Sequence, residues 1–468
     1  MQNGSFDFEI MSSASTIAVV GLGKIGLPLA VQYAQHGHRV IGCDIDPRVV
    51  EMVNAGQAHV REEPGIVSGV AEAVAKGLLS ATINTTEAVQ QANVIVVIVP
   101  VLIDAACVVN FQAIDAASAA IGAGLQSGAL VIYETTLPVG TTSQRLRKIL
   151  ESTSKLQAGR DFYLAHSPER VFSGRILRDL RTYPKVVGGI DKRSTSAAVA
   201  FYRSVLDVSI ITMSSSDEAE FVKLIESVYR DVNIALANEF ACYADSHGLD
   251  VTKAIAAANS QPTSHIHRPG VGVGGHCIPV YPYFLFEDAA EANLDARSPG
   301  LQMLLPRSAR RVNDGMAEYA VQRLELLLGS LARQSVLILG VAYRGGVRET
   351  AFTSTKLLQD ALLNYGATVY VDDPLFTESE LRALGYTPLP AALEREIRAI
   401  ILQADHQAYQ LLDFRRFARC QVVLDGRQFL SRETIESLGM HYVAIGDGNH
   451  HGDHSKKLGD ELNVVSLS

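Results

Sequence analysis

The sequence predicts an α/β protein of two doubly wound sheet domains joined by a long central helix. Three observations predict it. Short β-rich runs alternate with helical stretches over residues 16–213. The same alternation restarts at Gln334. Between the two stands one uninterrupted helical pattern, Asp217 to Ser246. Strands that alternate with helices pair in parallel, because each crossover helix carries the chain back to the same edge.

The elements follow in order. Thr16 to Val20 is a strand, Ile25 to Gly37 a helix, and Arg39 to Cys43 the second strand, closed by Asp44. Val94 to Pro100 and Ala129 to Tyr133 are the next strands, with helical segments at Asp115 to Ile121 and Ser143 to Glu151. The apolar run Val94 to Leu102 reads as one buried strand, too short to span a membrane. Val186 to Ile190 and Val208 to Met213 extend this domain. Ser214, Ser215, Ser216 and Asp217 are capping residues for the long helix, which His247-Gly248 ends. A helix of about 30 residues reaches roughly 45 Å and suits a domain bridge or a subunit interface. Arg307 to Leu328 is a further helix. Ser335 to Gly340, Ala367 to Val371, Ala399 to Gln403 and Gln421 to Leu424 are strands of the second sheet domain, with a helix at Ser354 to Tyr365. The expected domains are residues 1–212, 213–328 and 329–468.

Composition bounds the function. Apolar residues make up 47% and charged residues 19% of the 468, enough for buried cores and against disorder. The net charge of −9 disfavours a nucleic-acid or membrane-surface binder. The five cysteines, Cys43, Cys107, Cys242, Cys277 and Cys420, form no CxxC pair, so neither a disulfide framework nor a zinc site is expected. Met1 to Ser15 lacks the basic start and apolar core of a secretory leader. A cytoplasmic protein is expected. His450, His451 and His454 read as a solvated tail rather than a metal site.

Gly21-Leu22-Gly23-Lys24-Ile25-Gly26 follows a strand and opens a helix, the context that makes this pattern a dinucleotide site. The glycines allow the tight turn and let a pyrophosphate reach the helix N-terminus. Asp44, at the end of the second strand, is placed to accept ribose hydroxyls, and its charge repels a 2′-phosphate, so NAD is favoured over NADP. Gly270-Val271-Gly272-Val273-Gly274-Gly275-His276-Cys277 is a loop whose backbone can press against a ligand and deliver an exposed nucleophile. A buried structural cysteine fits this spacing equally well. In His166-Ser167-Pro168-Glu169-Arg170 the Glu can act as a base, although the pattern alone ordinarily starts a helix. Lys223 alone reads as a solvated helix face.

Together these residues resemble the nucleotide-sugar 6-dehydrogenase family, which includes the UDP-glucose, UDP-N-acetylglucosamine and UDP-N-acetylmannosamine dehydrogenases. The resemblance rests on the glycine motif with Leu27-Pro28, on Glu134-Thr135-Thr136-Leu137-Pro138 with Gly140-Thr141-Thr142, and on Ser167-Pro168-Glu169-Arg170-Val171. It continues through Lys223, Arg230-Asp231-Val232-Asn233-Ile234-Ala235, Asn238-Glu239, Gly274-Gly275-His276-Cys277-Ile278-Pro279, Leu339-Gly340-Val341-Ala342-Tyr343-Arg344 and Asp373-Pro374. These segments run in order over nearly the whole chain. The resemblance implies two Rossmann-like domains and two successive NAD-dependent oxidations of a sugar C6 alcohol. The product is a uronate, reached through a thiohemiacetal and then a thioester on Cys277. Glu169 would be the base for the hydrolytic water and Lys223 the oxyanion partner, with Ser227 and Thr136 beside them and Asn238 a weaker candidate.

Cofactor contacts are implied for Gly21, Gly23, Lys24, Ile25, Gly26, Asp44, Arg48, Pro100, Glu134, Thr136 and Arg344. Substrate contacts are implied for Glu169, Arg170, Val171, Lys223, Gly270, Gly272, Gly274, Gly275, Tyr281 and Tyr343. A homodimer through the long helix, a nucleotide-sugar substrate and no metal are implied as well. Departures cluster around the substrate. Ser227 stands where the family has Asn, Tyr281 where it has Asp, Ala351 where it has Arg, Arg344 where it has Lys, and Val101-Leu102 where it has Thr-Pro. The usual basic residue ahead of the glycine loop falls on Thr263, with Arg268 nearby. The Ser-Pro-Glu-Arg-Val segment points to a UDP-N-acetylhexosamine such as UDP-ManNAc or UDP-GlcNAc. UDP-glucose and dTDP-glucose are the alternatives. More distant readings are a two-electron hydroxyacid-type dehydrogenase and an NAD-binding regulator without turnover.

Replacing Asp44 with Ala should raise the KM for NAD and narrow the gap in kcat/KM between NAD and NADP. Steady-state kinetics with both cofactors checks this, and an unchanged ratio removes Asp44 from cofactor selection.

Overall fold

The computed structural model describes residues 15–60, 62–104, 106–291 and 302–448. Residues 1–14 and the tail with His450, His451 and His454 lie outside the described residues. The chain divides into two compact units, Met1–Glu226 with Tyr283–Gln302, and Ser227–Pro282 with Met303–Ser468.

The first unit is built on a sheet of eight strands. They are β1 (Thr16–Val20), β2 (Arg39–Cys43), β3 (Leu79–Thr82), β4 (Val94–Val97), β7 (Leu130–Tyr133), β8 (Tyr163–His166), β9 (Lys185–Gly189) and β10 (Ile210–Thr212), while β5 (Leu102–Ile103) and β6 (Val109–Asn110) pair separately. The order is β10-β9-β8-β7-β4-β1-β2-β3. Its β3-β2-β1-β4 half reverses direction between β1 and β4, the switch point at which such sheets bind nucleotides. Every residue of β4, β7 and β9 is buried, as expected of strands covered on both faces.

Three expectations are corrected here. The run Val94 to Leu102 is not one strand. It breaks after Val97, and Leu102–Ile103 joins a small hairpin with Val109–Asn110. His166 to Arg170 is not a helix start. His166 ends β8, and Ser167–Phe172 is an irregular loop. The sheet is not wholly parallel, since β9 runs against β8, with Ala165 opposite Gly189 and His166 opposite Gly188. The connection from β8 to β9 holds one short helix, Ile176–Asp179. The strands β3, β6 and β8, and His441–Ala444 of the second unit, also escaped the sequence reading.

The helix Gly26–Gln35 buries Leu27, Leu29, Ala30, Val31 and Tyr33 against β1 and β2. The helix Lys192–Val205 starts at Asp191, whose carboxylate accepts the Ser194 amide at 2.7 Å. The long helix is Ser216–His247, 32 residues and ~48 Å.

The second unit carries β11 (Ser335–Leu339), β12 (Thr368–Asp372), β13 (Ala399–Leu402), β14 (Val422–Asp425) and β15 (His441–Ala444). All pair in parallel in the order β12-β11-β13-β14-β15, a second doubly wound sheet. Ala237, Ala241 and Ala244 of the long helix share a core with Met316, Ala317 and Ala320 of the helix Leu304–Leu328.

A Cβ added to Gly26 would lie 1.8 Å from the Gly21 carbonyl oxygen. Gly26→Ala should therefore destabilise the first unit by about 3 kcal/mol, the upper range for overpacking, read as an earlier first transition in thermal unfolding. Unfolding at the wild-type temperature would show that the turn can yield.

Candidate active site

At the end of β1 the chain turns at Gly21, whose φ of +96° favours glycine. A Cβ there would meet the Ile98 carbonyl oxygen at 3.0 Å, so this glycine lets the turn lie against the strand end. Gly23 differs. It is exposed, and a Cβ on it would meet nothing within 4 Å. Gly21 and Gly26 thus satisfy the protein, and Gly23 leaves open space at the N-terminus of Gly26–Gln35. Lys24 and Ile25 are half-buried in this turn.

Asp44 is pinned beside the turn. One carboxylate oxygen accepts the Leu22 amide at 2.9 Å and the other the Asp46 amide at 3.0 Å. Each oxygen keeps a lone pair for a hydroxyl. Open space at a helix N-terminus and a carboxylate held next to it fit a dinucleotide's pyrophosphate and ribose. Arg48 is exposed and engages Asp46 at 2.7 Å. Pro100 lies on the exposed stretch after β4, across the switch point from Gly21.

Glu134, expected among the cofactor contacts, is instead engaged inside the domain. Its Oε1 accepts the hydroxyls of Tyr33 at 3.2 Å and Tyr202 at 2.6 Å, and its Oε2 accepts Lys185 Nζ at 2.9 Å. Lys185 Nζ also donates to Glu169 Oε2 at 2.8 Å, and Glu169 Oε1 accepts the Arg170 amide at 2.7 Å. Burial pushes the Glu134 carboxyl up, only partly opposed by Lys185. Burial also acts against a charged Glu169, but Lys185 and the hydrogen bonds around it hold that carboxyl below its ordinary value. Glu169 is therefore a carboxylate at neutral pH, with a tenth of its side chain exposed.

Thr136 is buried in the loop after β7, where Thr135 Oγ1 donates to the Val99 carbonyl at 2.8 Å. Glu220 fastens the far end of that loop, accepting the amides of Gly140 at 2.6 Å and Thr142 at 2.8 Å. Arg170 donates to Glu226 at 3.1 Å, and Val171 beside it is half-buried. Lys223 is half-buried and Ser227 buried, one helical turn apart and so on one face.

In the second unit the glycine loop proves to be a joint. A Cβ on Gly272 would meet Ser354 Oγ at 2.6 Å, and one on Gly274 the Tyr343 Cβ at 2.7 Å and the Phe352 carbonyl oxygen at 2.8 Å. On Gly270 it would come within 3.0 Å of the Gly426 carbonyl oxygen. At Gly272 and Gly274 the position a side chain would take is filled by protein, which leaves only their backbone to meet a ligand. Gly275 donates its amide to the Ala351 carbonyl at 2.8 Å, against the Tyr343 ring. Arg344 contacts the Tyr343 hydroxyl at 3.4 Å.

The loop delivers Cys277 half-buried, its carbonyl accepting the Tyr281 amide at 2.9 Å at the start of the helix Tyr281–Glu291. His276 pairs with Glu349 at 3.3 Å. By contrast, Cys43 and Cys420 are buried, and burial pushes their thiols up to about 12. Asn238 is not aimed at open space. Its Oδ1 accepts the Gly270 amide at 2.9 Å and its Nδ2 donates to Asn313 Oδ1 at 2.8 Å. Asn313 in turn donates to Asp231 at 2.7 Å, which also accepts Arg310 at 2.7 Å. The loop thus hangs from a buried polar chain.

Sequence reading missed Lys185, Tyr33, Tyr202, Glu220, Arg310 and Asn313. None stands in a spacing motif. The one available signal was a charge, Lys185, opening the apolar run Val186-Val187. Among the described residues no cluster of His, Cys, Asp or Glu could hold a metal ion, and no helix is long and apolar enough to cross a membrane.

The fold and these two glycine segments define an NAD-dependent oxidoreductase. Three domain descriptions match the chain: the UDP-glucose/GDP-mannose dehydrogenase family's NAD binding domain over residues 15–206, its central domain over 217–314 and its UDP binding domain over 337–432. The chain belongs to this family of nucleotide-sugar dehydrogenases. It is 33% identical to a UDP-N-acetyl-D-mannosamine dehydrogenase of Pyrococcus horikoshii, over 92% of this chain and 99% of that one. It is also 33% identical to an NDP-N-acetyl-D-galactosaminuronic acid dehydrogenase of Ralstonia nicotianae, over 90% and 97%. The solved UDP-D-ManNAc dehydrogenase of Pyrococcus horikoshii superposes with a TM-score of 0.82, covering 93% of this chain and all of that one at 33% identity. A UDP-glucose dehydrogenase of Pyrobaculum islandicum superposes with a TM-score of 0.83 at 28% identity, covering 93% and 98%.

Asn238→Ala should free the Gly270 amide, lower stability by about 1–3 kcal/mol and speed alkylation of Cys277. Thermal unfolding and the rate of iodoacetamide labelling measure the two. Unchanged labelling would show that the loop is held elsewhere.

Proposed function

We propose that this protein oxidises the C6 hydroxymethyl of a UDP-N-acetylhexosamine to the carboxylate in two NAD-dependent steps, with UDP-N-acetylmannosamine the first candidate. The observation that carries the reading is Cys277, half-buried at the end of a rigid glycine loop in a chain of this family. The relatives named for N-acetylhexosamine substrates support the sugar class.

NAD held at the Gly21–Gly26 turn and Asp44 supplies the hydride acceptor for each oxidation. The chain's own residues do the rest. The first oxidation turns the C6 alcohol into an aldehyde. The Cys277 thiolate adds to that carbon and forms a thiohemiacetal, so the reactive aldehyde stays bound. The Lys223 ammonium offsets the negative charge that develops on the C6 oxygen, and Ser227 lies one turn along the same face. The second oxidation leaves a thioester on Cys277. Glu169, already ionised, takes a proton from water as the water attacks the thioester. Collapse expels the thiolate and frees the acid. Ser227 and Tyr281 replace a family amide and carboxylate, which shifts the work of orienting the C6 oxygen onto Lys223.

The NAD, central and UDP-binding roles are assigned to residues 1–212, 213–328 and 329–468. Gly270, Gly275, Arg170, Val171, Tyr281, Tyr343 and Arg344 are proposed to line the nucleotide-sugar path. We also propose a homodimer. Phe221, Ile225, Tyr229, Leu236, Phe240 and Tyr243 are 41% to 59% exposed and fall within ~100° of one face of the long helix. Five unpaired cysteines fit a reducing, cytoplasmic setting.

Wild-type enzyme should yield two NADH per uronate, seen as absorbance against product mass. A ratio of one favours the two-electron dehydrogenase, and NAD binding without reduction across a panel of nucleotide sugars favours a regulator. Cys277→Ala should lose acid formation by at least 10³-fold while still binding NAD. Normal uronate production by that variant refutes the covalent route. Phe240→Asp should shift the sedimentation mass toward one chain, and an unaltered dimer would move the interface off this helix.

A further inference from the structure

The buried ammonium of Lys185 lies between two carboxylates, and nothing in the reaction as described uses it. It enters on the first residue of β9, Glu134 follows β7, and Glu169 follows β8. The distances are 2.9 Å to Glu134 and 2.8 Å to Glu169, and Lys185 and Glu134 are almost wholly buried. Each group facing this cluster has an evident state. Tyr33 and Tyr202 donate to Glu134 and are held in the phenol form by burial and by that carboxylate. His166, on the preceding strand, is neutral, because burial and the Lys185 charge push it down to about 3. Arg170 points its guanidinium to Glu226 and gives Glu169 only its amide. Lys185 is then the cation that answers both carboxylates. Burial works against its charge, and the two carboxylates outweigh that effect.

We propose that Lys185 is the positioning residue for the hydrolytic half of the reaction: it grips Glu169 by one oxygen while the Arg170 amide holds the other, and keeps that carboxylate ionised for the thioester water, with Glu134 as the counterweight that holds Lys185 in place. Two buried carboxylates on one cation compete for its charge, so Glu134 draws on Lys185 while Glu169, hydrogen-bonded by the ammonium and by the Arg170 amide, accepts the proton of the attacking water. The inference rests on the reading of Glu169 as that base.

The test uses the full-length enzyme with NAD and UDP-N-acetylmannosamine, acid-quenched and followed by intact mass. Lys185→Met should slow breakdown of the Cys277 acyl-enzyme by about 100-fold, the low end of what a general base contributes, so that the acylated protein accumulates. Loss of the cation should also move the acid limb of the breakdown rate upward by about one to three pH units. Lys185→Arg, which keeps the charge, should restore most of the rate and the limb. Glu134→Gln leaves Lys185 to Glu169 alone and should move the limb the other way. A purely structural role would lower the unfolding temperature without accumulating acyl-enzyme, and that result overturns the proposal, as does a wild-type limb in Lys185→Met. Should Lys185→Met not fold, the downward shift in Glu134→Gln decides, and an unmoved limb there counts against it. Glu169→Gln run in parallel separates the two readings: normal acyl-enzyme breakdown in that variant ends the assignment of the base itself, whatever Lys185 does.

Discussion

Backbone approaching backbone more closely than any side chain allows is the constraint on which both recognition segments rest. At the first, the Gly26 α-carbon lies against the Gly21 carbonyl, and that contact brings the helix N-terminus up to the end of β1. At the second, Gly272 and Gly274 lie against Ser354, Tyr343 and the Phe352 carbonyl. The two uses of glycine differ in what they leave behind. The first turn keeps Gly23 free on its outer side, so the anion site is a by-product of tight packing. The second spends its glycines on packing and thereby stiffens the segment that ends in Cys277. A rigid approach suits a nucleophile, because covalent capture depends on placing the sulfur within a narrow range of the carbon it attacks.

Buried charge is the second theme, and each unit handles it by the same rule. A buried ion is tolerated when an opposite charge answers it, since the desolvation penalty is several kcal/mol per ion. In the first unit Lys185 is answered by Glu134 and Glu169, and Glu134 is answered again by two tyrosines. In the second, Arg310 is answered by Asp231, with Asn313 and Asn238 passing the hydrogen bonds on to the Gly270 amide. Neither network is the cheapest way to fill a core. Each ends on a group of the candidate site, the carboxylate of Glu169 in one case and the glycine loop in the other. Tyr33 sits on the helix Gly26–Gln35 behind the glycine turn, so the first network also ties that helix to Glu169.

The departures from the family pattern gain meaning against these networks. Ser227 is buried on the face it shares with Lys223, so a smaller polar group occupies an enclosed position rather than an empty surface. Ala351 lacks the family's side chain, but its carbonyl still holds the Gly275 amide. Tyr281 opens the helix that follows Cys277 and keeps the backbone bond to the cysteine carbonyl. The backbone around Cys277 is thus hydrogen-bonded at the positions whose side chains depart from the family pattern.

The sequence by itself determined the two sheet domains, the long helix and the glycine turn with Asp44, and its resemblance to the family marked Cys277, Glu169 and Lys223 as candidates. These are local matters: alternation with period, a glycine pattern between strand and helix, and short segments whose order along the chain is the signal. Only the tertiary structure decided that β9 runs against β8, that Leu102 leaves the sheet, that Glu134 turns inward, and that the glycine loop packs on protein. It also brought Lys185 between carboxylates that lie 51 and 16 residues away along the chain. Such groups carry no spacing motif, because what joins them is the adjacency of strands β7, β8 and β9 in a sheet. A lone lysine, a lone tyrosine or a lone asparagine looks like any other until folding shows which charge it must answer.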